Sequence, residues 1–341
     1  MGVKNEFEFV KYCFSRRKDG RFVKNVMAVS NDHSLVNMEE TGGSKTQEYL
    51  YHISMEPSYS GFFADHNRLL SLLYYADYYG MQPVVEYGEK YSYYEDHPVN
   101  GTENPFEYYF KQPAGITISQ MKEYKAVLKS RKENAALAGR LNKKAGSGGY
   151  GMTEEYISAL GAISRKYIRL NEFVSPLIEK AIEQTIGGKR AIGVHVRGTD
   201  FKHNYNGHPI CIVPEEYLKQ VDELLKTEGY DRVFLATDDS RTIELFEKEL
   251  GNKLVYYTDV TRSDGDETVM KSVANRENHH YLLGLEVLRD MMTLAACDGL
   301  VAGLSQVSYS ARIQKKSYEQ EYNHMIILDK GINYHRENCP T

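Results

Sequence analysis

The chain has no tryptophan and, in 341 residues, only nine prolines and four cysteines. The cysteines, Cys13, Cys211, Cys297 and Cys339, make no CxxC pair and no zinc spacing. That excludes a disulfide scaffold or a cysteine-built metal centre and reads as reduced thiols of a cytoplasmic protein. No apolar run approaches the length of a membrane span. Residues 1–24 alternate charged and aromatic residues without an apolar signal core, and the opening Met1-Gly-Val-Lys-Asn-Glu6 lacks the Ser or Thr of a myristoylation signal. Positive charge is also short: the net charge of −5 disfavours a general nucleic-acid surface, leaving room only for a local basic pocket. There is no Gly-x-Ser-x-Gly elbow. Gly187-Gly-Lys189 is no P-loop, because Arg190 follows it and position 183 is Glu. What is abundant is tyrosine, at 28 residues, suited to half-buried cores and to stacking on sugar or base faces.

Length suits two domains, and the pattern along the chain divides near residue 187. In the first part, Thr46–Ser54 reads as a strand, Tyr59–Asn67 as a loop holding Gly61, Asp65 and His66, and the run to Tyr79 as a helix ended by Gly80. Gln82–Tyr87 is the next strand. Tyr91–Phe110 reads as an irregular covering loop. Residues 117–186 read as helical, interrupted by Gly146-Ser-Gly-Gly-Tyr-Gly151; that match to GxGxxG follows no strand, so it reads as a helix connection. The second part alternates strands and helices as a doubly wound sheet does, beginning with Ala191-Ile-Gly-Val-His-Val196. The predicted helix over His279–Asp298 turns Leu282, Leu285, Leu288, Met292 and Ala295 inward. It leaves Asp290 with Glu286 and Thr293 on a solvated side.

Three predicted strands deliver chemistry to one edge of the second sheet, the edge where ligands bind in open α/β folds. The first ends in His195, Arg197 and Asp200. A guanidinium there offers paired donors to a phosphate, or a structural pair to Asp200 across a turn. The second ends in Asp238 and Asp239, at least one of which caps the following helix. The third ends in Gly303-Leu-Ser-Gln306, an anion site at a helix N-terminus or a plain serine cap. Asp264-Gly-Asp266 sits in a polar loop and reads as a turn rather than a metal site.

Together these stretches resemble the α-1,6-fucosyltransferase family, which includes bacterial chitin-oligosaccharide and core fucosyltransferases. The motifs are Ile192-Gly-Val-His-Val-Arg-Gly-Thr-Asp200, Val233-Phe-Leu-Ala-Thr-Asp-Asp239 and Asp298-Gly-Leu-Val-Ala-Gly-Leu-Ser-Gln-Val307, with Asn275-Arg276 and Arg289-Asp290 between. The resemblance implies an α/β GT-B fold of two Rossmann-like domains facing across a cleft. The domains would be 1–186 on the acceptor side and 187–341 on the nucleotide-sugar side. It implies inverting, metal-independent transfer of fucose from GDP-fucose to a glycan or sugar-conjugate hydroxyl, with no cofactor. His195 and Asp290 would hold guanine; Arg197, Ser305 and Gln306 the diphosphate. Asp200 would orient the arginine, Asp238 or Asp239 would shape the pocket, and Gly61, Asp65 and His66 would form the acceptor-side loop. Three positions depart from the family pattern: Gly198 for a second arginine, Phe63 for a second glycine, and a longer loop after Asp200 lacking the glutamate that looks like the family's base. His203, His208 or Asp65 would then be the base, with His203 foremost. Another nucleotide sugar, or an inactive nucleotide- or sugar-binding protein, is the alternative.

Overall fold

The computed structural model describes residues 50–55, 60–124, 126–130, 133–199, 205–265 and 275–334, with short pieces at 11, 14–15, 17–18, 38–40, 43–44, 203 and 269. Asp200 and Asp266, Cys13 and Cys339 lie outside the described residues. The chain forms two α/β units, one of residues 1–60 and 65–171, the other of 172–341 with 61–64.

In the first unit, β1 (Met38–Glu40), β2 (Leu50–Ser54), β3 (Gln82–Glu86) and β4 (Ala126–Lys129) form a sheet in the order β1-β4-β2-β3. β2 runs parallel to both β3 and β4, and β1 is antiparallel to β4. Helix α1 (Phe62–Tyr78) makes the β2-to-β3 crossover, burying Leu69, Leu70, Leu73 and Ala76 as its spacing predicts. It ends where Gly80, at φ +65°, lets Gly80 N–H and Met81 N–H donate back to Asp77 and Ala76 carbonyls. Helices α2 (Glu133–Ala145) and α3 (Glu154–Tyr167) flank the glycine-rich 146–151 stretch, which is a helix connection. The tyrosine-rich stretch is irregular yet buried, with Tyr91, Tyr93, Phe106, Tyr108, Tyr109 and Phe110 all in the core. It also finishes the edge of the sheet. Gln112 Oε1 accepts from Val85 N–H at 2.9 Å while its Nε2 donates to Val85 O at 2.7 Å. Asn104 donates to the same carbonyl and accepts from Tyr87 N–H.

The second unit holds α4 (Val174–Ile186), β5 (Ala191–Val196), α5 (Pro214–Thr227), β6 (Arg232–Thr237), α6 (Ser240–Leu250), β7 (Leu254–Val255), α7 (His279–Ala296), β8 (Gly299–Gly303), α8 (Gln306–Ser317) and β9 (His324–Leu328). Its sheet is parallel throughout, in the order β7-β6-β5-β8-β9. Counted within the unit this is 3-2-1-4-5, the doubly wound order whose direction of winding reverses between β5 and β8. The division falls at 171/172, not at the 186/187 expected from the sequence. α4 packs on α7 and β6, so it covers the second sheet. β5 is buried at all six positions. Its Ile192, Val194 and Val196 join Tyr217, Val221, Ile243 and Phe246 of α5 and α6 in one core. Gly193 faces the other way: a Cβ there would lie 3.0 Å from Leu294 of α7. Among the described residues, no helix is long and apolar enough to cross a membrane.

Candidate functional site

The register of β5 against β6 sets the site. Val196 pairs with Thr237, so the next residues, Arg197 and Asp238, leave the sheet side by side. Arg197 Nη1 lies 2.5 Å from Asp238 Oδ2. Asp238 also accepts from Gly198 N–H at 2.8 Å and from the Thr199 hydroxyl at 2.6 Å. Burial opposes its ionisation, but Arg197, Thr199 and Gly198 together hold the carboxyl below the ordinary aspartate range. Asp238, across the strands, therefore pairs with Arg197; Asp200, which the sequence offered as its partner, lies outside the described residues.

Asp239 caps α6, accepting from Arg241 N–H at 3.1 Å and holding the Arg241 guanidinium through both carboxylate oxygens. Its side chain fills the space in front of Gly198, where a Cβ would come within 2.6 Å of Asp239 Cβ. A side chain at 198 does not fit this packing, which accounts locally for glycine where the resemblance has arginine. Asp264 is drawn into the same corner, accepting from Ser240 Oγ at 2.5 Å.

Ser305 caps α8 in a reciprocal box: its Oγ accepts from Ser308 N–H at 3.0 Å, and Ser308 Oγ accepts from Ser305 N–H at 3.0 Å. Ser305 Oγ also lies 3.2 Å from His195 Nδ1, joining the ends of β5 and β8. His195 is buried, and burial drives its pKa down to about 4 against the opposing pull of Asp238. The ring is neutral at neutral pH. Gln306 follows as the first residue of α8.

Asp290 lies where the sequence reading did not put it. Glu286, Asp290 and Thr293 are all buried, so the inward face of α7 is partly polar, and Leu282, Leu285 and Met292 are only half-buried. Glu286 accepts from Thr261 N–H and from Arg276; Thr293 bonds the Tyr257 hydroxyl. Asp290 Oδ1 has no hydrogen-bond partner. Burial raises the Asp290 carboxyl to about 7, despite Arg262 and Arg289 nearby.

The height of Asp290 along the sheet follows from its neighbours. Asp298 N–H donates to Ala191 O at the start of β5, and Leu294 faces Gly193. α7 therefore runs antiparallel to the strands. One helical turn from Leu294 to Asp290 rises about 6 Å, roughly two strand residues, which reaches the level of His195. By strand alternation His195 shares the α7 side with Gly193. Two groups that the resemblance linked thus converge on one face of the sheet's ligand edge.

Asp65 and His66 stand in the first turns of α1, not in a loop, because the helix already begins at Phe62. Both are buried; burial lowers His66 to about 4, and its ring packs 5.5 Å from Phe110. Gly61 is exposed, and a Cβ there would meet nothing within 4 Å. His203 is exposed, and His208 lies farther along the same loop. Arg276, set between the motifs in the sequence, pairs with Glu286; sequence reasoning had no signal for Arg262, the cation near Asp290.

No protein-family model and no curated protein matches the chain. Solved structures to which it is similar include the fucosyltransferase NodZ from Bradyrhizobium, at 18% identity over 79% of this chain and 92% of that one, with a TM-score of 0.47. A second is NodZ α-1,6-fucosyltransferase co-crystallised with GDP, at 16% identity over 79% and 92%, TM-score 0.48. A third is POFUT1 in complex with GDP-fucose, at 12% identity over 82% and 98%, TM-score 0.49.

Proposed function

We propose that this chain is a fucosyltransferase-like glycosyltransferase that takes fucose from GDP-fucose to a hydroxyl of a glycan or sugar conjugate, with inversion and without a metal. The observation that carries the nucleotide is Asp290 Oδ1: buried, without a protein partner, and level with a neutral His195. A buried acceptor left unmatched costs about 1–3 kcal/mol, so the site favours a ligand that brings donors. Guanine offers two adjacent donors, N1–H and the 2-amino group, to one carboxylate. The fucosyl identity rests on the three sequence motifs.

The chemistry fits the edge. The acceptor oxygen attacks C1 of the sugar opposite the diphosphate, the C1–O bond to phosphate breaks, and the acceptor proton passes to His203. Negative charge gathers on the departing GDP. Arg197, held by Asp238, and the positive end of α8 at Ser305 and Gln306 meet that charge without reorganising. The thiols of Cys211 and Cys297 suit a cytoplasmic setting.

The test is calorimetric titration with GDP, UDP and ADP in metal-free buffer, on the wild type and Arg197→Ala. GDP-selective binding that falls at least tenfold in Arg197→Ala, with an unchanged circular dichroism spectrum, is the expected result. Equal affinity for all three nucleotides would overturn the assignment.

A further inference from the structure

The 205–212 loop, longer here than the resemblance leads one to expect, is built into the second unit. After β9 the chain turns at Gly331, with φ +91°, and pairs antiparallel with it. Gly207 N–H donates to Asn333 O at 2.7 Å, Asn333 N–H to His208 O at 2.8 Å, and Ile210 N–H to Gly331 O at 2.9 Å. Lys330 forms an ion pair with Glu216 on α5. Within the loop, Tyr205-Asn-Gly-His208 is a tight turn: His208 N–H donates to Tyr205 O at 3.0 Å, and Gly207 sits at φ +81°. That positive φ at the third turn residue is what a type II turn requires, and glycine meets it without strain.

This turn presents an aromatic surface. Tyr205 is 51% exposed as a residue although its ring is flanked by two imidazoles, with centroids 5.6 Å away for His203 and 5.8 Å for His208. A large exposed aromatic held in place by its neighbours loses little conformational entropy when something stacks on it. The same loop borders the donor edge: Ile210 and Ile212 line a small cavity with Arg197, Leu304 and Lys330. The loop leads into α5, on the side of the sheet opposite the face that carries His195 and Asp290. The nucleobase is accommodated on the α7 face, so the Tyr205 surface is left for the other substrate.

We infer that Tyr205, flanked by His203 and His208, is the stacking platform for a pyranose ring of the acceptor, carried on the loop that borders the Arg197 cavity and held by the clamp of 207–210 against 331–333. This rests on the glycosyltransferase reading above. A pyranose suits this ring because its C–H face can cover the phenol while its hydroxyls stay in water.

The experiment is saturation-transfer NMR on the full-length protein with chitotetraose, maltotetraose and a mannose oligosaccharide as probes, each with and without GDP. It compares the wild type, Tyr205→Ala and Tyr205→Phe, and GDP affinity is measured on all three. The inference predicts that at least one oligosaccharide binds the wild type, weakens tenfold or more in Tyr205→Ala, and is retained in Tyr205→Phe. GDP affinity should stay within twofold. Two results overturn it: an oligosaccharide that binds wild type and Tyr205→Ala alike, or no oligosaccharide binding while GDP binds. Failure of GDP binding is a separate outcome that removes the donor reading, and Tyr205-dependent sugar binding can be scored without it.

Discussion

Arg197 and Asp238 face each other at 2.5 Å because their strands are in register, one residue past the last paired position. The aspartate therefore sets where the guanidinium points, and the guanidinium keeps the aspartate ionised.

Asp238→Asn should leave the chain folded but loosen Arg197. GDP affinity is expected to drop about tenfold, the scale of one charge-assisted hydrogen bond of about 1.5–3 kcal/mol. The pH effect on stability has a definite sign. A carboxyl held below its ordinary value contributes stability above that value and loses it as pH falls through the depressed folded pKa. Urea unfolding of the wild type should lose stability in that acidic window, and Asp238→Asn should lose less. Identical acid profiles for the two would show that the pair does not matter.

Asp290 works in the opposite direction. Its folded pKa of about 7 lies above the ordinary aspartate value, so the folded chain holds a proton that the unfolded chain has already released. Its contribution to stability falls as pH rises towards 7, by at most about 1.4 kcal/mol per pH unit. Guanine donors favour the carboxylate, so GDP should bind more tightly at pH 8 than at pH 6, releasing a proton on binding between them. Calorimetry in two buffers of different ionisation enthalpy measures that proton. Asp290→Asn should abolish both the release and the preference for GDP over ADP.

Gly198→Ala tests the crowding in front of the strand. A Cβ within 2.6 Å of Asp239 Cβ must displace that side chain, and with it the α6 cap and the Arg241 pair. A destabilisation of about 1–3 kcal/mol is expected. Asp239→Gly, which removes the obstructing Cβ along with the capping side chain at about a few tenths of a kcal/mol, should make the added methyl nearly neutral in the double variant. Additive losses would mean that the two positions do not touch.

Ser305→Ala removes a helix cap and the contact to His195 together. A loss of about 1 kcal/mol in thermal unfolding is expected from the cap, along with weaker GDP binding. Ser305→Asp keeps a cap while adding negative charge, and should restore stability without restoring GDP affinity. Recovery of both would assign Ser305 to the helix alone.

The second sheet was legible because its central strands β6, β5 and β8 are buried and read as continuous apolar runs between helices; Pro214–Thr227 and Arg232–Thr237 fall where the pattern puts them. β4 was not. Ala126–Lys129 is four residues long, lies between a 3₁₀ segment and a helix, and carries too little alternation to stand apart from the helical pattern. At the site, periodicity could place Arg197 and Ser305 at strand ends but could not show that Asp238 stands beside Arg197, which depends on register between strands. Asp290 was misjudged for a related reason: a carboxylate at helical spacing from Glu286 and Thr293 looks like a solvated stripe, until the element packed against that stripe is known.

Gln112 and Asn104 both close on Val85, so the first sheet is finished by two side-chain amides instead of a further strand. An unfinished edge is a template for another chain's backbone. The spacing from 85 to 112 therefore acts as a solubility device as much as a packing one. A tag, cleavage site or deletion placed in the tyrosine-rich stretch would move one amide off its partner and leave a sheet that recruits strands from other copies. Engineering of this protein is better directed to the 146–151 helix connection, whose glycines carry no such duty.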